Sequence, residues 1–187
     1  MDRRQRKTRE AIFKAFTDLL LEKSFDKMTV GEIITRSDVG RATFYAHFET
    51  KDFLLKKFLE ELFCHIFDTV SQENSNHSHI FTCEEHDSVF LHLLKHLKKN
   101  DNNILKLLTC RNNELFLQYF NANLQELVKS QLSLFSQRKD VGLPEDLWVR
   151  HITATFVQTL LWWVENGMKE SPDTVEKYFY TLVSQKA

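Results

Sequence analysis

The segment from Gly40 to Phe48, GRATFYAHF, gathers side chains that make directional hydrogen bonds. Arg41 carries five N–H donors in a planar fork, and Thr43, Tyr45 and His47 each add a donor. Such donors match the base edges and phosphates of a nucleic acid, whereas one histidine could also serve a metal or catalytic site. The segment is therefore hydrophobic core, a site built around His47, or a surface that contacts a partner.

Other candidates for metal binding lie in the middle of the chain. His92 and His96 are four residues apart, as two ligands on one helix face would be. Zinc sites need three or four converging ligands, and no pattern ties these two to a third, so we expect no metal site. A polar stretch before them contains further possible ligands: His77, His79, Cys83 and His86.

Motifs of catalysis are missing from the sequence. It contains no nucleophile elbow, no phosphate-binding glycine loop and no HExxH pair. The three cysteines, Cys64, Cys83 and Cys110, lack the spacing of a disulfide framework or a zinc knuckle. We therefore expect a protein that is not an enzyme and that uses no cofactor.

Composition favours an all-α protein with a basic beginning. Only four Gly and two Pro interrupt 187 residues, which favours long helices over short strands and turns. Residues 1–58 contain 13 Lys and Arg against 9 Asp and Glu, whereas the remainder contains 12 against 17. The basic excess is either a solvated face or the footprint of a polyanionic partner. No apolar run approaches the ~18 residues of a membrane span and no secretory signal is evident, so we expect a cytoplasmic protein.

Two short helices joined by a turn must position the GRATFYAHF segment. Thr29 and Glu32 have the spacing of a capping box that opens one helix, and Asp38-Val39-Gly40 supplies a turn. The next helix is predicted from Arg41 to about His47. This succession is typical of a helix-turn-helix reader of DNA.

Longer helices flank this pair. The pattern predicts one before it, at about 5–22, and one after it that Thr50 caps. Phe44 and Phe48, four residues apart, would anchor the short helix on these neighbours. Over the whole chain we expect about nine helices and no strand, divided into a DNA-binding domain at 1–52 and a larger helical domain at 53–187.

The last two predicted helices are unusually apolar. A helix at about 144–166 is apolar nearly all round, so it must be covered on both sides, and the helix after Pro172 adds a further apolar stripe. Either both helices face only their own core, or they form a two-fold homodimer through a four-helix bundle. We expect the homodimer, with an interface that includes Phe156, Leu160, Trp163, Tyr178, Phe179 and Leu182.

The stretch from Thr29 to Phe58, TVGEIITRSDVGRATFYAHFETKDFLLKKF, carries a specific resemblance. It resembles the DNA-binding domain of the tetracycline-repressor (TetR) family, in which a Thr-Phe/Leu-Tyr-x-His-Phe run precedes a Ser/Thr/Asn-Lys pair. The ending, LLWWVENGMKESPDTVEKYFYTLV, is similar to a ligand-domain type common in low-GC Gram-positive bacteria. Two positions depart from the family pattern, because Asp38 replaces a turn Gly and Gly40 replaces a capping Ser or Thr.

The resemblance implies a role for each matching residue. Arg41 and Thr43 would read bases. Arg3, Arg4 and Arg6 form a flexible basic arm or are simply solvated. Phosphate contacts are implied for Thr29, Tyr45, His47 and Lys51, with packing or capping as the alternative for His47.

The function expected from these features is regulation of transcription. We predict a repressor that binds a palindromic DNA operator as a homodimer. The sequence names neither the operator nor the pocket residues of the small-molecule inducer that the resemblance implies. This inducer would bind in the larger domain, swing the fourth helix and release DNA. The alternative is a helical regulator that acts mainly through a protein partner, with accessory DNA contact.

Overall fold

The computed structural model describes residues 3–71, 88–99, 107–108, 114–135 and 142–184. These residues form helices and their connections, without a strand, which confirms the all-α prediction. The predicted helix near residue 104 and the polar stretch with its histidines fall mostly outside the described residues. Eight α-helices lie within them: α1 (Arg3–Glu22), α2 (Val30–Ser37), α3 (Arg41–His47), α4 (Lys51–Ser71), α5 (Val89–Lys99), α6 (Glu114–Ser130), α7 (Glu145–Glu165) and α8 (Pro172–Ser184).

The first three helices form a small unit around aromatic side chains of α1. Phe13 and Phe16 recur at helical spacing and are fully buried. The Phe13 ring lies 5.3 Å from the ring of Phe48, which ends α3, and α2 packs along α1. A one-turn 3-10 helix, Phe25–Lys27, leads from α1 towards α2 and buries Phe25 against Phe16. The aromatic core thus fixes α3 with respect to α1.

Helix α4 belongs to both parts of the molecule. Near its beginning, Phe58 contacts Phe13 and Phe16, at ring-centroid distances of 5.5 and 5.8 Å. One turn further, Phe63 lies 5.4 Å from Phe120 of α6. The predicted boundary between residues 52 and 53 falls in the first turn of this continuous helix, so a displacement of α4 involves both parts.

The larger part encloses a second aromatic centre between α5, α7 and α8. Phe90 of α5 lies 5.3 Å from Phe156 and 4.8 Å from Phe179, measured between ring centroids. Helices α7 and α8 pack on each other, α8 packs on α5, and α6 packs on α4 and α7. The turn between α7 and α8 is closed by the Trp163 indole, which donates to the carbonyl of Glu170 at 3.1 Å.

This packing corrects most of the predicted dimer interface. Phe156, Leu160, Trp163 and Phe179 are each 1% exposed or less, because they fill the core of their own chain. They therefore offer almost no surface to a second copy. Tyr178 and Leu182, in contrast, are 44% and 53% exposed on the outer face of α8.

None of the helices in the described ranges is both long and apolar enough to cross a lipid bilayer.

Candidate nucleic-acid interface

Helix α2 begins with the capping box expected from Thr29 and Glu32. The Thr29 hydroxyl accepts from the Glu32 backbone N–H at 3.3 Å, and the Glu32 carboxylate accepts from the Thr29 backbone N–H at 2.9 Å. The Thr29 hydroxyl also donates to this carboxylate. The donors left for an anion at this helix end are the backbone N–H groups of the first turn, such as those of Val30 and Gly31.

An ion pair fixes the same helix end. Lys23 donates to the Glu32 carboxylate, and this bond, followed by the hydrogen bonds from Thr29, lowers the pKa of Glu32 to about 2. The carboxylate is therefore ionised at every physiological pH. Its negative charge is stabilised by the positive end of the α2 helix dipole.

The turn between α2 and α3 uses an unusual backbone conformation. Asp38 is left-handed, with φ 51° and ψ 41°, and the backbone N–H of Val39 bonds to the carbonyl of Ile34 at 3.4 Å. Asp reaches this region more readily than most residues, although Gly reaches it without strain. Asp38 can thus form the turn that the resemblance assigns to Gly.

Helix α3 divides its side chains between core and solvent. Phe44 and Phe48 are fully buried, whereas Arg41, Thr43 and Tyr45 are exposed. The helix starts at Gly40, which lies in extended backbone and provides no side-chain cap. These three predicted contact residues thus all contribute to the solvent-exposed surface of α3.

His47 lies at the edge of this face and is partly buried. Burial, followed by the nearby charge of Arg9, lowers the pKa of its imidazole. The neutral ring then offers one N–H donor at physiological pH. Among the described residues, His47 does not belong to a group of side chains that could hold a metal ion.

Lys51 points away from solvent rather than towards it. Its ammonium donates to the carbonyls of Phe25, Asp26 and Met28 at 2.8, 3.2 and 3.0 Å and lies 4.5 Å above the Phe25 ring. These bonds engage all three ammonium protons. In this arrangement, Lys51 ties the first turn of α4 to the segment before α2.

Arg9 makes a second connection to α4. Its guanidinium pairs with Glu61 and lies 5.5 and 5.2 Å from the ring centres of Phe13 and Phe48. Arg9 therefore holds the end of α3 against both long helices. Helix α1 already begins at Arg3, so the expectation of a flexible arm made of Arg3, Arg4 and Arg6 is wrong.

Two further clusters of side chains lie outside this face. His65 of α4 meets His92 and His96 of α5 in the core, so the expectation that no third ligand converges on this pair is wrong. No local pattern in the sequence points to His65, because its partners lie on another helix. The second feature is an apolar groove of about 910 Å³ on the outer face of α7 and α8. Its lining includes His151, Thr155, Gln158, Trp162, Tyr178 and Leu182.

Comparison with known protein families matches both parts of the chain. Residues 12–58 match the model described as bacterial regulatory proteins of the tetR family. Residues 84–185 match the model of a transcriptional regulator C-terminal region, TetR_C_8.

Individual relatives agree with these matches. An uncharacterized helix-turn-helix transcriptional regulator of Bacillus subtilis, YxbF, is 26% identical over 188 residues, which cover 100% of this chain and 47% of that protein. A second such regulator from B. subtilis, YvdT, is 30% identical over 61 residues, covering 33% of this chain and 31% of that protein. Each match thus covers less than half the length of the curated relative.

Solved structures extend the likeness to the whole chain. A TetR transcriptional regulator from Streptococcus agalactiae 2603V is 34% identical, covers 98% of this chain and 97% of its own, and superposes with a TM-score of 0.70. A regulator structure from Syntrophomonas wolfei reaches the same TM-score at 21% identity, with 97% of each chain covered, which shows a shared fold. The helix-turn-helix geometry and these matches agree: the chain belongs to the TetR family of DNA-binding transcriptional regulators, whose members are not enzymes.

Proposed function

We propose that the chain is a repressor that binds a palindromic operator as a homodimer and releases it when a small molecule binds. The observation that supports this most directly is the exposed face of α3. Arg41, Thr43 and Tyr45 are exposed on a short helix that two fully buried phenylalanines, Phe44 and Phe48, fix to the core. A rigid helix with polar groups on its open side fits the major groove of DNA.

Each side chain of this face has a chemical role in the proposal. Arg41 donates two hydrogen bonds to one guanine, a contact that contributes about 1–3 kcal/mol of discrimination, and Thr43 contacts the neighbouring base. Tyr45 and the neutral His47 donate to phosphates on either side. The first turn of α2, which Thr29 caps, binds a further phosphate through backbone N–H groups.

The groove on α7 and α8 supports the homodimer. Trp162 and Tyr178 are 40% and 44% exposed, and their rings meet edge to face at 5.8 Å. Leu182, 53% exposed, extends this apolar surface. Two copies related by a two-fold axis would cover it and would present two α3 helices to the two halves of a palindrome.

Release by an inducer would act through α4. This helix contacts the aromatic cores of both parts, and it is tied to the DNA-binding part by Lys51 and Arg9. A ligand that favours one position of α4 would favour one separation of the two α3 helices.

Selection from genomic DNA fragments tests the proposal. We expect one or a few fragments to bind at least about 1,000-fold more tightly than bulk DNA at physiological salt. If every fragment binds like bulk DNA, the proposal fails and regulation through a protein partner is favoured.

Arg41→Ala tests the role of the base-reading face. We expect it to relax the preference at one base pair per half-site, with a loss of about 1–3 kcal/mol on the preferred sequence. Arg36→Ala is the matched control, because Arg36 of α2 is paired with Glu22 of α1. Equal losses on all sequences for Arg41→Ala, measured by competition binding, would contradict the assigned role.

A further inference from the structure

Three histidines converge in the core at the contact between α4 and α5. His65 is 6% exposed, His92 2% and His96 5%. His92 and His96 lie one turn apart on the same face of α5, and α4 brings His65 against them. We propose that these three imidazoles bind one divalent transition-metal ion of the Zn²⁺ type.

The distances between the ring nitrogens suit a shared ion. One nitrogen from each histidine lies within 4.8 Å of the other two. The Nε2 atoms of His65 and His96 are 3.1 Å apart. Two nitrogens on a tetrahedral Zn²⁺ with bonds of about 2.0–2.1 Å are separated by about 3.3 Å. This pair is therefore already at ligand spacing, and the nearest nitrogen of His92 lies within 4.8 Å of both.

The three rings lie against one another at an angle rather than in a parallel stack. The ring of His65 is nearly perpendicular to those of His92 and His96, at 75° and 81°, with centroids 5.1 and 4.7 Å apart. Imidazole ligands bind metals through the in-plane lone pair at the ring edge. The cluster is thus not a stack of parallel rings, and the closeness of the ring nitrogens is what favours a shared ion.

Proton positions are compatible with binding. Across the 3.1 Å contact, one ring must donate its Nε2 proton to the lone pair of the other. When an ion takes that place, the donating ring carries its proton on Nδ1 instead, so both rings remain neutral. Neutral imidazoles are ligands for Zn²⁺, Cu²⁺ and Ni²⁺, whereas Ca²⁺ and Mg²⁺ prefer oxygen.

The surroundings explain why an ion would be held there. Along α4, His65 is flanked by Leu62 and Ile66, both fully buried. An ion at the centre of the cluster would bind one nitrogen of each ring at once. A three-histidine set leaves one coordination position for water or another donor. The bound ion would also clamp α4 to α5.

Metal binding by the intact chain tests this proposal without DNA. The full chain, free of any affinity tag and stripped with a chelator, is titrated with Zn²⁺ alone and with Co²⁺ alone. We expect one ion per chain and a rise in Tm of about 5 °C or more at a hundredfold excess over Kd. Co²⁺ should show tetrahedral d–d absorption without a thiolate charge-transfer band.

Variants then locate the ion. His65→Gln and His96→Gln should each weaken Zn²⁺ binding by about 100-fold or more, a larger loss than removal of an outer-shell partner causes. The matched control is His151→Gln, since His151 is exposed on α7 and should leave binding unchanged. Equal loss in the control, or full binding by both core variants, overturns the proposal. If the core variants do not fold, the wild-type protein decides: less than one ion bound, or no rise in Tm, overturns it.

Discussion

Gly40 is the N-cap residue of α3 and has no side chain that could cap the helix. Its backbone is extended, at φ −70° and ψ 149°, so a side chain is allowed there. A Cβ added at Gly40 would lie 3.6 Å from the Thr43 hydroxyl, an ordinary contact. The space for a capping side chain at position 40 is therefore available. The first turn of α3 has no capping hydroxyl only because residue 40 is a glycine.

Gly40→Ser should improve both folding and DNA binding. The added hydroxyl can accept a backbone N–H of the first turn, which contributes a few tenths of a kcal/mol, and can donate to a phosphate. We expect operator binding about tenfold tighter at fixed salt.

Gly40→Ala is the control, because it adds the Cβ without the hydroxyl. It should lower stability by about 0.5–1 kcal/mol and leave the affinity unimproved. Fluorescence anisotropy measures the affinities, and equal affinities for the Ser and Ala variants would contradict a phosphate contact at this position.

Two roles are open for Lys51: a contact with a DNA phosphate, or hydrogen bonds to backbone carbonyls within the protein. Replacement by Met keeps the length of the side chain and removes the ammonium that binds three carbonyls. We expect the free energy of unfolding to fall by about 1–2 kcal/mol.

The salt dependence of operator binding separates the two roles. A lost phosphate contact would lower the slope of log K against log salt by about one. Because the ammonium is engaged within the protein, we expect an unchanged slope. Lys56→Met, at a surface pair with Glu60, is the control and should change stability by less than about 0.5 kcal/mol.

At the scale of elements, the beginning of α2 depends on one ionised carboxyl. The pKa of Glu32 is lowered from 4.5 to about 2, so the folded state holds this proton less tightly than the unfolded chain does. The stabilisation is complete above pH 4.5 and is lost as the pH falls towards 2.

Glu32→Gln should therefore lower Tm at neutral pH, and the difference from the wild-type protein should shrink between pH 4.5 and pH 2. Thermal unfolding followed by circular dichroism measures this. Glu126→Gln, at the exposed pair with Lys129 on α6, is the control for a surface ion pair and should have little effect at any pH. A pH-independent difference for Glu32→Gln would show that the pair with Lys23 is not responsible.

Elements encoded by local signals were predictable from the sequence. The Thr29 box and the turn at Asp38 gave α2 and α3 almost to the residue, because caps and turns depend on neighbours in the chain. Contacts between helices were not predictable in this way. The bonds of Lys51 reach carbonyls more than twenty residues away, and His65 meets His96 across 31 residues.

The same limit applies to the proposed dimer face. Helix α7 is apolar on two sides, and the sequence cannot say which side is inside. The packing of α7 against Phe90 determines which side faces the core. It buries Phe156 and leaves Trp162 exposed.

At the scale of the whole molecule, the groove on α7 and α8 should determine the oligomeric state. Leu182→Arg places a charge in the middle of this apolar surface, where a two-fold contact would bury it twice. We expect the wild-type protein to have twice the 22.2 kDa chain mass at micromolar concentration and the variant to dissociate.

Leu21→Arg is the matched control, because Leu21 is 47% exposed on α1, outside the groove. Light scattering measures both masses. A wild-type protein at the mass of one chain, or a Leu182→Arg variant that stays paired, would contradict this assignment.

The two ties on α4 also have a geometric consequence. Lys51 and Arg9, through Glu61, attach α4 to the DNA-binding helices at points ten residues apart, about 15 Å along the axis. Because α4 is attached at two points, α1, α2 and α3 cannot easily rotate relative to it. These three helices would therefore move together with α4. Helix α4 is about 30 Å long. If it tilts by about 10° around its C-terminal end, its first residue is displaced by about 5 Å. That displacement is about half the width of a major groove, so in the proposed DNA complex a small rearrangement near residue 71 would be enough to put α3 out of register with the base pairs.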